Sequence, residues 1–293
     1  MARQRSSLPT TLTGGPFLVH DALGEGLSRS RLRGGDLTRP FRGARLPAGS
    51  DGLIERCRAY AQHRRLDFAF SHTTAALFLG VPLPLGLDPA IHVSVPAPGR
   101  APEIAGFVGH KLTDWATVER EGLPITTPAQ TWIDLAPLLP LRELVVAGDH
   151  LVAERATLCT REELAHRIAA SAGRRGIARA RRALDRVRPG SESPGETRLR
   201  LLLIDAGLPM PDLNREIRDG DVFVARVDLA YPTAKVALEY EGDIHRVDRD
   251  VWRKDLRRRE RLADLGWRMV RVSGDDIAHP AELLTRVRRL LQE

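Results

Sequence analysis

Cysteine is nearly absent from this chain of 293 residues: only Cys57 and Cys159 occur, far apart and with no CxxC pair. Neither a disulfide framework nor a zinc cluster is supported. Aromatic residues make up 5% of the chain. No aromatic-rich stacking platform is visible, so nothing argues for RNA as the target, although RNA stays open. No apolar run approaches the roughly 20 residues of a membrane span. The N-terminal MARQRSSLPTTLTGG lacks the apolar stretch of a signal peptide. A cytoplasmic protein with no membrane partner is the expectation. No GxSxG elbow accompanies Ser71-His72 or Asp149-His150, so a hydrolase triad is not indicated. Lysine is scarce too: three Lys stand beside 42 Arg, as in an Arg-rich proteome.

What is present suits about two domains with packed cores, since 42% of residues are hydrophobic. The net charge of +7 is unevenly spread. Residues 1–50 carry eight Arg against three acids, and residues 161–190 carry nine Arg against three acids. The stretches 51–160 and 191–293 are slightly acidic. Nucleic acid is the obvious partner for the two basic stretches, and a solvated basic face is the alternative.

Taken in order, residues 1–13 read as disordered. Phe17 to Leu23 suits a short helix. A second helix follows Gly24-Glu25-Gly26, capped by Ser28 or Ser30, and Arg39 to Pro47 reads as a hairpin. These are the parts of a winged helix-turn-helix, in which Arg29, Arg31, Arg33 and, in the hairpin, Arg42 are the expected DNA contacts. Residues 52–70 have helical spacing, and Ser71 caps a helix ending before Gly80. Strands are expected at 91–95, 106–110 and 123–126. Helices are expected from Thr127-Pro128 and over 141–154. His72, His92 and His110 share no helix face and have no evident carboxylate partner, so they read as capping or packing residues. Residues 161–188 form one or two helices with Arg174, Arg175, Arg179, Arg181, Arg182, Arg186 and Arg188 around the axis. Arg188 to Gly195 reads as a linker, and the domain boundary is expected there.

The last hundred residues carry the strongest pattern. A helix at 196–206, a strand at 214–218 and a turn at Asp219-Gly220-Asp221 precede Val222 to Leu229. The turn Tyr231-Pro232-Thr233-Ala234 then leads to Val236 to Glu241, again with period two. A helix over 248–265, a strand over 267–272 and a helix over 280–291 complete the order α-β-β-β-α-β-α. The helix before the last strand can serve as a crossover, which gives a mixed sheet covered by helices. The unusual residues are carboxylates. Asp228 sits near the end of one apolar strand, and Glu239 and Glu241 share one face of the next. Such groups cost stability unless compensated, and a hard divalent cation with oxygen ligands would compensate them.

Several stretches carry a family resemblance: Asp228-Leu229-Ala230, Leu238-Glu239-Tyr240-Glu241-Gly242-Asp243-Ile244-His245, Asp255 with Arg258, and Gly266-Trp267-Arg268-Met269-Val270-Arg271-Val272. Residues 190–293 resemble the PD-(D/E)XK nuclease superfamily, in particular the DUF559 group related to very-short-patch repair endonucleases. Ser71-His72-Thr73-Thr74-Ala75-Ala76 and Thr131-Trp132-Ile133-Asp134-Leu135-Ala136 are similar to the N-terminal part of AbiEi-type antitoxin-like proteins, in which a winged helix precedes a second α/β module. The resemblance implies an α/β (α+β) fold. A winged helix-turn-helix (1–50), an α/β middle module (51–160) and a basic helical connector (161–189) would precede a restriction-endonuclease-like αβββαβ core with a mixed sheet (190–293).

The resemblance also implies roles. Asp228 and Glu239 would bind Mg²⁺ or Mn²⁺. Glu241 stands where the superfamily usually has Lys, and would be a further ligand or a water-positioning group. Glu196 matches an acid that often joins the site. His245 would assist as base or leaving-group acid, and Arg258 would contact the scissile phosphate or brace the site. The chemistry agrees, because a carboxylate-held metal supplies an activated water and neutralises charge at phosphorus. A neighbouring His can protonate the leaving oxygen. A metal-dependent DNA endonuclease is therefore expected. The alternative is a non-catalytic winged-helix regulator of antitoxin type with a degenerate nuclease fold, its acids paired with nearby Arg. A homodimer, and a toxin or repair partner, stay open.

Overall fold

Residues 7–64, 66–242 and 249–292 are described by the computed structural model. They form an α+β fold in two units, Met1–Leu135 and Ala136–Glu293. In the first unit Phe17–Leu18 (β1) runs into Val19–Gly24 (α1), and Leu37–Thr38 (β2) pairs with Ala44–Pro47 (β3). β3 is central and antiparallel to both neighbours, so the order is β1-β3-β2. Leu12, Phe17, Ala22, Leu32 and Leu37 bury one another. The expected disorder over 1–13 therefore fails at Thr10–Leu12, a 3-10 turn held by buried Leu12. The expected second helix shrinks to one 3-10 turn, Arg31–Arg33. Gly34-Gly35 follows it at once, and one turn cannot offset the cost of helix nucleation.

The unit continues with Leu53–His63 (α2), Ala69–Phe70 (β4), His72–Phe78 (α3), Ile91–Pro96 (β5), Phe107–Leu112 (β6), Thr117–Arg120 (β7), Leu123–Thr126 (β8) and Pro128–Leu135 (α4). These strands form a mixed sheet in the order β6-β5-β4-β8-β7. The helix expected over 52–70 stops at His63 because tertiary packing claims its last residues. Phe68 and Phe70 pack around Tyr60, with ring centroids 5.1 and 6.0 Å away, and Phe70 joins the centre of the sheet. β5 is buried on both faces along Ile91–Val95, as befits a strand covered on either side.

The second unit opens with Leu141–Leu151 (α5), Arg161–Ala170 (α6), Ile177–Leu184 (α7) and Pro194–Asp205 (α8). Asp212–Asp219 (β9), Val222–Tyr231 (β10) and Val236–Tyr240 (β11) follow as an antiparallel ribbon. Arg249–Asp264 (α9) crosses over to Arg268–Val272 (β12), which pairs in parallel with β11. Gly274–Ala278 (α10) and Ala281–Gln292 (α11) close the unit. The sheet order is β12-β11-β10-β9. Leu199, Leu202 and Leu203 of α8 and Leu283 and Val287 of α11 pack on Leu229, Leu238 and Val270. Leu262 of α9 packs with Val227, Ala230 and Ala237 in a second cluster.

The domain boundary expected at Pro189 is not where the chain divides; the division follows Leu135. A buried ion pair explains the difference. Asp149 of α5 accepts hydrogen bonds from the Arg188 N–H (2.9 Å), Thr197 Oγ1 (2.8 Å) and Arg200 Nη2 (2.6 Å). The Asp149 and Arg200 side chains are each 1% exposed. The Pro- and Gly-rich stretch is thus pinned on both sides. Several Arg of the expected basic stripe serve the fold as well. Arg179 donates to the Ala136 and Leu139 carbonyls, and Arg186 pairs with Asp205. Arg175, Arg181 and Arg182 remain exposed.

Candidate functional site

Ser193 caps α8 by accepting the Glu196 N–H at 3.2 Å, which puts Glu196 in the first turn. Its carboxylate accepts from the Glu192 N–H (2.8 Å) and from Asn214 Nδ2 (3.1 Å). Gly195 allows this helix end to reach β11: a Cβ there would lie 2.0 Å from the Tyr240 ring. The β10–β11 register ends at Leu229 opposite Leu238. Beyond it the Asp228 carboxylate accepts the Tyr240 N–H at 2.8 Å. Glu239 follows on β11, and Arg258 of α9 places one Nη2 on both its oxygens, at 2.5 and 2.6 Å.

Electrostatics binds the acids into one group. Burial pushes the Asp228 carboxyl up to about 6, and the charges of Glu196 and Glu239 push the same way against the Tyr240 N–H and Arg258. Half-buried oxygen donors with an acid already driven toward protonation fit a hard divalent cation. Asp228 and Glu239, on neighbouring strands, are the residues that could share it, while Glu196 is held by Asn214 and the Glu192 N–H; the three acids are not drawn together as closely as the ligand atoms of a formed site. Glu241 departs from the expectation of a shared site. β11 has ended, Glu241 donates its N–H to the Val272 carbonyl, and its carboxylate pairs with Arg271. The charges that bear on Asp228 come from Glu196, Glu239 and Arg258 instead. His245 lies outside the described residues.

The expected DNA contacts divide as well. Arg29, Arg33 and Arg42 are exposed. Arg31 is buried and closed on Asp36 through Nη1 (3.0 Å) and Nη2 (2.6 Å), so it braces the fold rather than facing a phosphate. Sequence reasoning passed over Arg39 and Arg45, which with Arg42 and His63 line a cleft of about 870 Å³.

The structure also gathers three residues read as unrelated packing histidines. His92 Nδ1 and His110 Nε2 lie 2.9 Å apart, and His72 stacks on His110 with ring centroids at 3.7 Å. Asp134 Oδ2 is 3.8 Å from His72 Nδ1, the carboxylate partner the sequence did not reveal. His92 and His110 stand on adjacent strands, so no spacing along one element could link them.

No protein-family model matches the chain. It is 32% identical over 203 residues to Uncharacterized protein Rv2248 and Uncharacterized protein MT2308, each from a strain of Mycobacterium tuberculosis; the match covers 69% of this chain and 74% of theirs. Among solved structures, the crystal structure of the RV2827C protein from Mycobacterium tuberculosis aligns with a TM-score of 0.43 and 19% identity, over 70% of this chain and 84% of that one. By the identity and coverage it shares with the first two, this chain belongs to their family.

Proposed function

We propose that the chain is a cytoplasmic, metal-dependent DNA endonuclease of the PD-(D/E)XK type, with its first unit engaging DNA. The observation that carries this reading is the half-buried Asp228 of β10 on the Tyr240 N–H of the adjacent strand that also bears Glu239, with burial and the nearby acids raising its carboxyl. Asp228 and Glu239 would hold Mg²⁺ or Mn²⁺ with Glu196 beside them. When bound, the ion supplies an activated water and neutralises charge at the phosphorus. Arg258 has a task that needs no ion: its guanidinium now offsets Glu239, and the same fork geometry suits a phosphate oxygen. Arg257 and Arg261 on α9 are exposed and supply backbone contacts next to the acids. Arg29, Arg33 and Arg42 offer phosphate contacts in the first unit.

One observation favours a second reading, a DNA-binding regulator of antitoxin type that does not cut. Glu239 is held by Arg258 and Glu241 by Arg271, and acids neutralised in this way need no cation. A single assay separates the two. Supercoiled, linear and mismatched DNA are incubated with Mg²⁺, Mn²⁺ or EDTA and either the wild type or Glu239→Ala. The nuclease cuts only with metal and loses at least about 100-fold in rate on substitution. DNA that is bound but never cut establishes the regulator instead.

A further inference from the structure

We propose that His72, His92 and His110 form a binding site for a divalent late transition metal ion, Zn²⁺ foremost. This does not rest on the nuclease reading, since the trio lies in the first unit and uses different chemistry. Among the described residues, these three offer one ligand atom each, all within 4.8 Å of one another. Tetrahedral zinc at about 2.0–2.1 Å from each nitrogen sets its ligands roughly 3.3–3.4 Å apart. The 2.9 Å between His92 Nδ1 and His110 Nε2 is within about 0.5 Å of that spacing, and all three ligand atoms lie within 4.8 Å of one another.

The fold gathers all three rings in one place, stacked with nearly parallel planes. In the parallel β5–β6 register Ser94 stands opposite His110, and His92, two residues before Ser94, shares its face. His72 opens α3 with a left-handed backbone, φ +51°, a conformation that L side chains rarely adopt. Its Nδ1 faces Ser71 Oγ at 3.0 Å and Asp134 Oδ2 at 3.8 Å. Asp134 is in turn held by Gln130 Nε2 at 2.6 Å. A carboxylate behind one imidazole nitrogen, leaving the other for the ion, is the usual setting of a metal-bound His.

The chemistry favours an ion over packing alone. His72 and His92 are 8% and 6% exposed, and three imidazoles without a thiolate or a nearby cation among them form a nitrogen-donor set. Three imidazoles without thiolates suit Zn²⁺, Cu²⁺, Ni²⁺ or Fe²⁺, and not the Mg²⁺ that carboxylates select. Three protein ligands leave a fourth position for water or another donor, and the half-exposed His110 provides the way in.

The test uses the full chain, stripped with EDTA and titrated with Zn²⁺, and separately with Co²⁺ for its visible absorption. Wild type should take up one equivalent and give the spectrum of tetrahedral Co²⁺. His110→Gln should bind at least about 100-fold more weakly and lose that spectrum, whereas the exposed Glu282→Gln should match wild type. Circular dichroism checks that each variant is folded. Folded wild type that gives no tetrahedral Co²⁺ spectrum, equal affinity in folded His110→Gln, or the same loss in folded Glu282→Gln would each overturn the proposal. Should His110→Gln not fold, the wild-type Co²⁺ spectrum decides, and absorption without imidazole character refutes it.

Discussion

Asp228 shows most directly how one side chain records its surroundings. Its folded pKa lies above the unfolded value of about 4, so the fold disfavours the charged form. The resulting penalty is absent below pH of about 4, grows between about 4 and 6, and is complete above about 6. Asp228→Asn keeps an oxygen for the Tyr240 N–H and removes the penalty. The variant should therefore be more stable than wild type at pH 8, on the order of 1–2 kcal/mol after allowance for partial exposure. The advantage should vanish near pH 4. Thermal melts of both proteins across that range check it, and equal melting temperatures at pH 8 would contradict the field described around Asp228. Arg31 makes the opposite point at the same scale. Its basic neighbours in sequence are exposed, yet it is spent on Asp36. Only the fold distinguishes it from Arg29 and Arg33.

At the scale of elements, the site depends on how closely the start of α8 approaches β11. Gly195 permits that approach, and Gly195→Ala would drive a methyl into the Tyr240 ring. The expected cost is about 1–3 kcal/mol, as for overpacking elsewhere. A displaced Glu196 should also bring the Asp228 pKa down, which carboxyl NMR titration would read. An unchanged melting temperature would show that the helix end yields freely. This dependence also explains what the sequence could disclose. The ribbon from Val222 to Tyr240 was legible because period-two alternation and a Pro turn are local signals, as was the order α-β-β-β-α-β-α apart from the short α10, which precedes the last helix. The end of α2 at His63 was not legible, because Phe70 is claimed by a sheet whose other strands lie far along the chain. Glu196 could be placed only by family resemblance, since nothing local marks it. The His72, His92 and His110 grouping was hidden for the same reason: adjacent strands bring it together, and strand order is not written in spacing.

On the scale of the whole molecule, a Pro- and Gly-rich stretch was mistaken for a boundary because composition reports flexibility in isolation. Asp149 overrides it by reaching Arg188, Thr197 and Arg200 at once. A fragment of residues 190–293 should therefore not fold stably, since it loses Asp149 and the α5 surface on which Arg198 and Arg200 of α8 are held. A fragment of residues 136–293 retains the pair and should melt cooperatively. Circular dichroism melts of the two would decide, and a cooperative transition in the shorter one would return the boundary to Pro189.

The parallel pairing of β11 with β12 has a consequence in time. The antiparallel ribbon of β9, β10 and β11 closes over short turns, whereas β12 can dock only after α9 has crossed over. Local contacts form before distant ones. Asp228 and Glu239 are thus brought face to face before the helix that bears Arg258 arrives. Refolding should therefore quicken when a divalent cation is present to offset the two acids, which stopped-flow refolding with and without Mg²⁺ would read, and equal rates would count against it.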